Sequence, residues 1–297
     1  MPIRLFTDSS ANLNRRVVSE LGLEVVPLTM TVNGRERTCF DPDADFDGAA
    51  FYDLMREKED LKVQTSLINT AAFEAAFEPC LQAGDDVLYV GMSSGISGTY
   101  HAAELAAAEL AQRYPSRQIE AVDTRAASLA EGLMAREAAR LRDLGKTVKE
   151  IAAHVIRRRG YIRQYFMVDN LQYLRRGGRI SGGAALLGNI INLKPILMGD
   201  PLGRIVLHKK VLGRKKALPA LVALFDELAA SPHAETVGIA HGDCEQDAFA
   251  LRDSILSRHP GLDFMIECYE PGTGCHVGPG TVALFFMGKE DRTPAES

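Results

Sequence analysis

The sequence predicts an α/β fold with two parts, an N-terminal α/β domain on a parallel sheet and a C-terminal α+β domain. In the first half, short apolar segments alternate with segments of helical spacing, a pattern typical of βαβ units. In the second half, helices are mixed with strands joined by the turn 200–203, which indicates antiparallel pairing. The chain has 297 residues, enough for two domains. The change of pattern near Gly160 predicts domains at 1–160 and 161–297.

The N-terminal domain is predicted to carry a hairpin insertion over residues 25–40. Val25–Val32 and Glu36–Phe40 flank Asn33-Gly34, the strongest short-range hairpin signal. Asp86–Val90 is predicted to be a fully buried strand, because the residues after Asp86 are continuously apolar. The other predicted strands are Ile3–Phe6 and Ile119–Val122, and the predicted helices are Asn12–Leu21, Phe46–Glu59, Asn69–Ala83, Tyr100–Gln112, Ala126–Leu144 and Thr147–Arg159.

The C-terminal domain contains two glycine-dense segments, Arg175–Gly183 and Gly272–Gly280. The second is predicted to be a rigid, turn-rich loop before a buried strand, and it carries His276. Close approach of a ligand or of another backbone segment is expected where glycine is this frequent. The remaining predicted strands are Tyr161–Val168, Pro195–Met198, Ile205–Leu212, Thr236–Ala240, Leu262–Cys268 and Val282–Phe286, and the predicted helices are Lys215–Ala230 and Glu245–Arg258.

Composition and charge exclude several classes of protein. With 46% hydrophobic and 25% charged residues, the chain is neither a disordered protein nor a disulfide scaffold. Its net charge of −5 disfavours a nucleic-acid-binding protein, because such proteins are usually basic. The five cysteines are scattered without zinc-finger spacing, so we expect a reducing compartment, no disulfide framework and no structural metal. We also expect no cofactor.

Targeting and membrane segments are not predicted. Asp8 comes too early in the chain for a signal-peptide core to precede it. The most apolar later segment, 184–198, is interrupted by polar residues such as Lys194 and by Pro195. It cannot supply the roughly 20 apolar residues of a membrane-spanning helix. We therefore expect a cytoplasmic protein without stable membrane insertion, and the sequence leaves its oligomeric state open.

Small polar residues follow three predicted strands of the first domain, at Thr7–Ser10, Ser93–Gly95 and Asp123-Thr124. Ligands of parallel α/β sheets bind at this edge, although the same residue types also cap helices. The Ser93–Thr99 loop precedes a helix, whose N-terminal N–H groups and dipole favour an anion. Because the loop has no Lys or Arg, we expect a carboxylate or a single phosphate held by hydroxyl and amide groups.

A serine hydrolase is the alternative interpretation of this loop. Gly91-Met92-Ser93-Ser94-Gly95 fits the GxSxG pattern of a nucleophile elbow between a strand and a helix. Asp243 and His276 follow Ser93 in the order of an α/β-hydrolase triad. The pattern is short, and an HGGG-type oxyanion segment does not precede it.

Together these motifs resemble the DegV family of bacterial fatty-acid-binding proteins, along nearly the whole chain. Each motif is short, but seven in the same order are a specific signal. The motifs are Thr7-Asp8-Ser9, Thr65-Ser66, Ser93–Tyr100, Val122-Asp123-Thr124, Tyr173–Ile180, Asn192–Leu197 and His276–Gly280.

The resemblance implies that a long-chain fatty acid lies buried between the two domains. It also implies that the fatty-acid carboxylate is bound by Thr65, by Ser94 or Ser97, and by His276. The chain would then be a lipid-binding protein without catalytic residues of its own.

Some DegV proteins present the bound fatty acid to an ATP-dependent fatty acid kinase, which makes an acyl phosphate for lipid synthesis. The resemblance makes Arg179 and Arg214 candidates for contacting this partner or the phosphate. The sequence departs from the family pattern in three places. Leu67-Ile68 replace Gln-Pro, Cys275 replaces the usual Thr, and Leu212 replaces an Arg. The last departure bears on the kinase partnership.

The acyl tail would supply most of the affinity. Burying the ~14 methylenes of a 16-carbon chain is worth on the order of 11 kcal/mol before the costs of association. The head-group residues would then determine orientation. The segments 184–187 and 190–191 are candidates for lining the tunnel, although apolar residues at helical spacing are also typical of a core.

Overall fold

The computed structural model describes residues 2–57, 61, 63–180, 192–230 and 235–292. The strands within these residues are β1 Ile3–Asp8, β2 Leu23–Val26, β3 Thr29–Val32, β4 Arg35–Thr38, β5 Val63–Ser66, β6 Asp86–Gly91, β7 Ile119–Asp123, β8 Ile162–Met167, β9 Leu193–Gly199, β10 Ile205–Leu212, β11 Val237–His241, β12 Phe264–Cys268 and β13 Val282–Met287. The α-helices are α1 Arg15–Glu20, α2 Gly48–Glu57, α3 Thr70–Gln82, α4 Thr99–Arg113, α5 Leu129–Asp143, α6 Val148–Arg158, α7 Gln172–Gly177, α8 Arg214–Leu228, α9 Glu245–Leu256 and α10 Pro271–Val277.

The first sheet is parallel, with strand order β2-β1-β6-β7. Its central strand β6 is buried along its whole length, as its continuous apolar sequence predicts. Helices α3 and α4 pack against each other and against this sheet, and so do α5 and α6. The predicted parallel α/β domain is confirmed, and the carboxyl ends of β1, β6 and β7 place their polar residues at one edge.

A small antiparallel sheet has the strand order β4-β3-β5. Its three strands come between β2 and β6 in the sequence. Its hairpin turns at Asn33 and Gly34, whose φ angles of 50° and 80° match the predicted turn. The single strand predicted over 25–32 is wrong, because β2 ends at Val26 and β3 begins at Thr29. Pro27 has no N–H for a ladder hydrogen bond, so a strand cannot continue through it in the sheet.

The second sheet is mixed, with order β10-β9-β8-β13-β11-β12. The predicted antiparallel pair β9–β10 is confirmed. The prediction of a loop over 272–280 is wrong for residues 272–277, which belong to α10. Glu270 caps this helix by accepting hydrogen bonds from the N–H groups of Gly272 and Thr273, and Pro271 occupies its first turn. Proline is favoured at that position because its φ is already helical.

Helix α5 connects the two sheets, because it packs against β1 and β6 on one side and against β8, β11 and β13 on the other. One apolar core is continuous from Leu88 of the first sheet to Phe166 and Phe285 of the second. A second core, which includes Tyr165 and Met167, fills the opposite face of β8. Because side chains alternate along a strand, β8 separates these two cores. None of the helices in the described ranges is long and apolar enough to cross a membrane.

Candidate functional site

A mostly apolar cavity lies between the two sheets. Its empty volume is about 890 Å³, including the part open to solvent. Residues from both predicted domains line it. They include Leu28, Thr65, Leu67, Met92, Ile96, Ser97 and Ser128 from the first and Gln164, Phe166, Leu174, Arg179, Ile205, Tyr269, Thr273, His276 and Phe285 from the second.

Thr65 and His276 form a polar pair in the lining of this cavity. Thr65 Oγ1 lies 2.8 Å from Nε2 of His276, although the residues are 211 positions apart in sequence. Strand β5 positions Thr65, because Thr65 pairs with Met30 of β3. Helix α10 positions His276 in its last turn. A hydroxyl and an imidazole therefore face the cavity as a hydrogen-bonded pair.

His276 is uncharged at neutral pH. Burial, followed by the positive charge of Arg179, lowers the pKa of His276 to about 4. A neutral imidazole carries one N–H donor and one acceptor nitrogen. In the Nε2–H tautomer, His276 donates to Thr65 Oγ1 and leaves the Thr65 hydroxyl proton free for a ligand.

The Ser93–Thr99 loop brings Ser97 to the same cavity. Ser97 Oγ accepts a hydrogen bond from the N–H of Thr99 at 3.2 Å and lies 2.9 Å from Thr99 Oγ1. Gly98 is the N-cap residue of α4 and supplies no side chain to that helix end. A helix N-terminus in this setting attracts an anion, so Ser97 lies where the sequence predicts an anion site.

Arg179 adds a positive charge to the lining of the cavity. One of its guanidinium nitrogens donates to the carbonyl of Gly177 at 2.5 Å. Its charge is among the causes that depress the pKa of His276, which shows that the two side chains interact. Arg179, His276, Thr65 and Ser97 therefore combine hydroxyl, imidazole and guanidinium groups at one place in an apolar cavity, a set suited to a carboxylate.

A sequence model of the family described as "Uncharacterised protein, DegV family" matches residues 2–289. The chain belongs to the DegV family. A DegV domain-containing protein of Clostridium perfringens is 36% identical over 284 residues, which are 96% of this chain and 97% of that protein. One from Streptococcus pyogenes is 34% identical over 295 residues, covering 98% of this chain and 100% of that protein.

Two solved DegV structures are described as fatty-acid binding. The protein from Thermus thermophilus is 30% identical, with a TM-score of 0.86, covering 97% of this chain and 100% of that chain. The protein from Bacillus subtilis is 26% identical, with a TM-score of 0.82 and coverage of 97% and 100%. The likeness confirms the α/β plus α+β architecture of this DegV protein.

The structure places the two candidate serines differently. Ser97 lines the cavity. Ser94 Oγ donates to Asp123 Oδ2 at 2.6 Å, and its N–H donates to Asp123 Oδ1 at 3.2 Å. This pairing joins the ends of β6 and β7. Of the two candidate serines of this DegV protein, Ser97 is therefore the one on the cavity lining.

Arg214, the second candidate arginine, belongs to a network away from this cavity. Its guanidinium donates to Asp247 Oδ2 at 2.5 Å, to Asp169 Oδ1 at 3.1 Å and to the carbonyl of Gly280 at 2.6 Å. These bonds join the segment after β8, helix α9 and the segment before β13. The geometry supports a structural role for Arg214 within the second domain.

The hydrolase residues do not form a hydrogen-bonded triad. Ser93 Oγ donates to the carbonyl of Gly203 at 2.9 Å. Asp243 Oδ2 pairs with Arg56 at 2.6 Å, and His276 pairs with Thr65. Ser93 also lacks the positive φ found at a few other non-glycine residues of the described chain, whereas a nucleophile elbow is a strained turn.

Two hydroxyl residues of the cavity were not predicted. Thr273 Oγ1 and Ser128 Oγ are buried and make no hydrogen bond among the described residues. Thr273 lies one helical turn before His276 in α10, so helical spacing is the sequence signal that places both on one face. Ser128 has φ 56° and ψ −147°, a conformation that costs a non-glycine residue ~1–3 kcal/mol. No sequence signal marks such strain.

The predicted tunnel segments 184–187 and 190–191 lie outside the described residues, as does part of the Arg175–Gly183 segment. Within the described ranges, no cluster of three or more His, Cys, Asp or Glu side chains is placed to hold a metal ion. The division into domains at residue 160 stays a prediction.

Proposed function

We propose that this protein binds a long-chain fatty acid, with the acyl chain in the cavity between the sheets and the carboxylate at Thr65, Ser97 and His276. The observation that carries the proposal is the Thr65–His276 pair at 2.8 Å on the wall of an apolar cavity. The fatty-acid-binding descriptions of the related Thermus thermophilus and Bacillus subtilis proteins support it.

Thr65, Ser97 and His276 provide uncharged hydrogen-bonding groups for the carboxylate, and Arg179 adds a positive charge to the same lining. The Thr65 hydroxyl donates to one carboxylate oxygen, while the His276 imidazole donates to Thr65 and fixes its direction. Ser97 and the N-terminus of α4 supply further donors. Charged acceptors form stronger hydrogen bonds than neutral ones, so these groups compensate for the water that the carboxylate loses.

The apolar lining provides the affinity for the tail. Side chains such as Leu28, Met92, Phe166 and Phe285 line the cavity. Each buried methylene contributes ~0.8 kcal/mol before the costs of binding. A polar metabolite would leave these contacts unused, whereas an acyl chain fills them.

We further propose that the bound carboxylate is presented to an ATP-dependent fatty acid kinase, which converts it to an acyl phosphate. Arg179 supports this step, because its positive charge lies at the head-group end and could offset the negative charge that phosphorylation adds. Arg214 is engaged by Asp169 and Asp247, so Arg179 is the better candidate of the two for a phosphate contact.

Native mass spectrometry of the purified full chain, followed by organic extraction, tests the proposed binding. We expect a bound mass equal to that of a long-chain fatty acid. After delipidation, the protein should take up added stearate at one molecule per chain. A protein that is purified empty and does not bind stearate would overturn the proposal. A fluorophosphonate probe should leave Ser93 unlabelled, and labelling would favour the hydrolase instead.

A further inference from the structure

Ser128 places a hydroxyl group without a partner on the wall of the cavity. The residue is 2% exposed, lines the cavity, and its Oγ makes no hydrogen bond with the rest of the described chain. Burying a hydroxyl without a partner is unfavourable. The lining is otherwise mostly apolar, so this group requires an explanation.

The backbone around Ser128 holds the hydroxyl in place. Ser128 adopts φ 56° and ψ −147°, a region that glycine occupies more easily. The preceding Ala127 donates its N–H to Gln164 Oε1 at 3.2 Å, and Gln164 Nε2 donates to the carbonyl of Arg125 at 3.0 Å. These bonds fix the segment before α5 to strand β8, so Ser128 cannot easily rotate its backbone away from the cavity.

Tyr269 provides a second hydroxyl near Ser128. It is 2% exposed and lines the same cavity. Burial raises the pKa of Tyr269, while Ser128 acts in the opposite direction. Both residues line the same cavity, and Ser128 Oγ makes no hydrogen bond with the described residues.

This pair is separate from the carboxylate-binding residues. Tyr269 precedes α10, whereas His276 lies in its last turn. A rise of ~1.5 Å per residue puts about 7.5 Å of helix between Pro271 and His276. Glu270, which follows Tyr269, donates its N–H to Asn12 Oδ1 at 2.6 Å, and the segment around Asn12 packs against α5, which Ser128 precedes. Ser128 and Tyr269 therefore lie toward the end of α10 opposite His276, where they would face the acyl chain beyond its carboxylate.

We propose that Ser128 and Tyr269 bind an oxygen substituent in the middle of the acyl chain, so that the preferred ligand is a mid-chain hydroxy fatty acid. The inference rests on the proposed fatty-acid binding and names the ligand class of that same cavity. A hydroxyl on the acyl chain both donates and accepts hydrogen bonds, so it would supply Ser128 Oγ with a partner. An unsubstituted chain leaves that oxygen without a partner.

Competition binding with the delipidated full chain tests this inference. The ligands are stearate, 10-hydroxystearate and 12-hydroxystearate, with 2-hydroxystearate as the isomer whose hydroxyl lies near the carboxylate. We expect one mid-chain isomer to bind roughly fivefold more tightly than stearate, the effect of one hydrogen bond. The 2-hydroxy isomer should show no such preference.

Substitutions test whether the Ser128 and Tyr269 hydroxyls cause the preference for mid-chain hydroxystearate. Ser128→Ala and Tyr269→Phe should each reduce the ratio of mid-chain hydroxystearate to stearate affinity toward one. Ser128→Gly removes the same hydroxyl while relieving the backbone strain, so it covers the case in which Ser128→Ala does not fold. A ratio of one in the natural protein, or an unchanged ratio in the folded variants, would overturn the inference. Failure of stearate itself to bind would instead contradict the proposed function.

Discussion

A Cβ atom at residue 177 would lie 2.2 Å from Nδ1 of His276. Gly177 is the last residue of α7, and its missing side chain leaves room for the imidazole. We expect Gly177→Ala to displace His276 from Thr65 and to weaken stearate binding by tenfold or more, the order of a hydrogen bond to a charged group. Isothermal titration of the delipidated protein measures this change.

Gly178→Ala is the neighbouring control for that substitution. A Cβ atom there meets nothing within 4 Å, but its φ of +67° is strained for any other residue. We expect this variant to lose stability while its affinity for stearate stays within twofold. Equal losses of affinity in both variants would contradict the proposed role of the Gly177–His276 contact.

Thr65 can be tested without changing the shape of its side chain. Thr65→Val removes the hydroxyl and keeps the branched shape, whereas Thr65→Ser keeps the hydroxyl. Hydrogen bonds to charged groups contribute ~1.5–3 kcal/mol, so we expect Thr65→Val to lower stearate affinity by tenfold or more. Thr65→Ser should bind within threefold of the natural protein. Equal affinities for the Val and Ser variants would exclude the hydroxyl as a ligand.

Ser94 and Ser97 form a matched pair within one loop. Ser97 lines the cavity, whereas Ser94 is bound to Asp123. We expect Ser97→Ala to weaken stearate binding and Ser94→Ala to leave it nearly unchanged while lowering the melting temperature. The reverse pattern, observed by titration and thermal melting, would assign the carboxylate contact to Ser94.

Short sequence patterns predict the turns and strands that depend mainly on neighbouring residues. Asn33-Gly34 forms the predicted turn, because both residues adopt positive φ easily. The apolar run of β6 is buried as expected. Pro27 divides a predicted strand, and this division is visible in the sequence once the missing N–H is considered. The glycine-rich composition of 272–280 predicts a loop, whereas Glu270 and Pro271 in front of it form the start of α10.

The site required tertiary information. Thr65 and His276 are 211 positions apart, and no periodicity predicts their contact. The resemblance to DegV proteins supplied both residues. It left Ser94 and Ser97 equivalent, because the side-chain contact with Asp123 is not encoded in the motif. Ser128 was missed entirely, since its strain depends on the bonds that fix Ala127 and Arg125 to Gln164.

Arg179 and Arg214 should respond differently to the same substitution. Arg214→Gln leaves Asp169 and Asp247 without their guanidinium partner, so we expect a lower melting temperature. Arg179→Gln removes a charge from the cavity lining, so we expect weaker stearate binding at an unchanged melting temperature. Thermal melting and titration of both variants provide the readouts. Loss of stability in Arg179→Gln alone would reverse the two assignments.

The depressed pKa of His276 predicts a pH dependence of stability. The folded protein holds His276 at a pKa of about 4, whereas an unfolded chain has a histidine pKa of ~6.5. Between these values the unfolded state binds a proton that the folded state does not. The free energy of unfolding therefore falls as the pH decreases through this window. From pH 6.5 to pH 5, His276 should lower the free energy of unfolding by about 1.5 kcal/mol.

His276→Asn provides the reference for this measurement, since it lacks the titrating ring. Glu267 and Glu270 have pKa values raised to about 7 by burial, and their stabilising effect is lost as the pH rises. Both proteins share these carboxyl groups, so their effect cancels in the difference. Urea unfolding should show the natural protein losing about 1.5 kcal/mol relative to His276→Asn between pH 6.5 and pH 5. Bound stearate should reduce that loss, because its carboxylate favours protonated His276. If the stability of both proteins instead has the same pH dependence, His276 is not buried in its uncharged form.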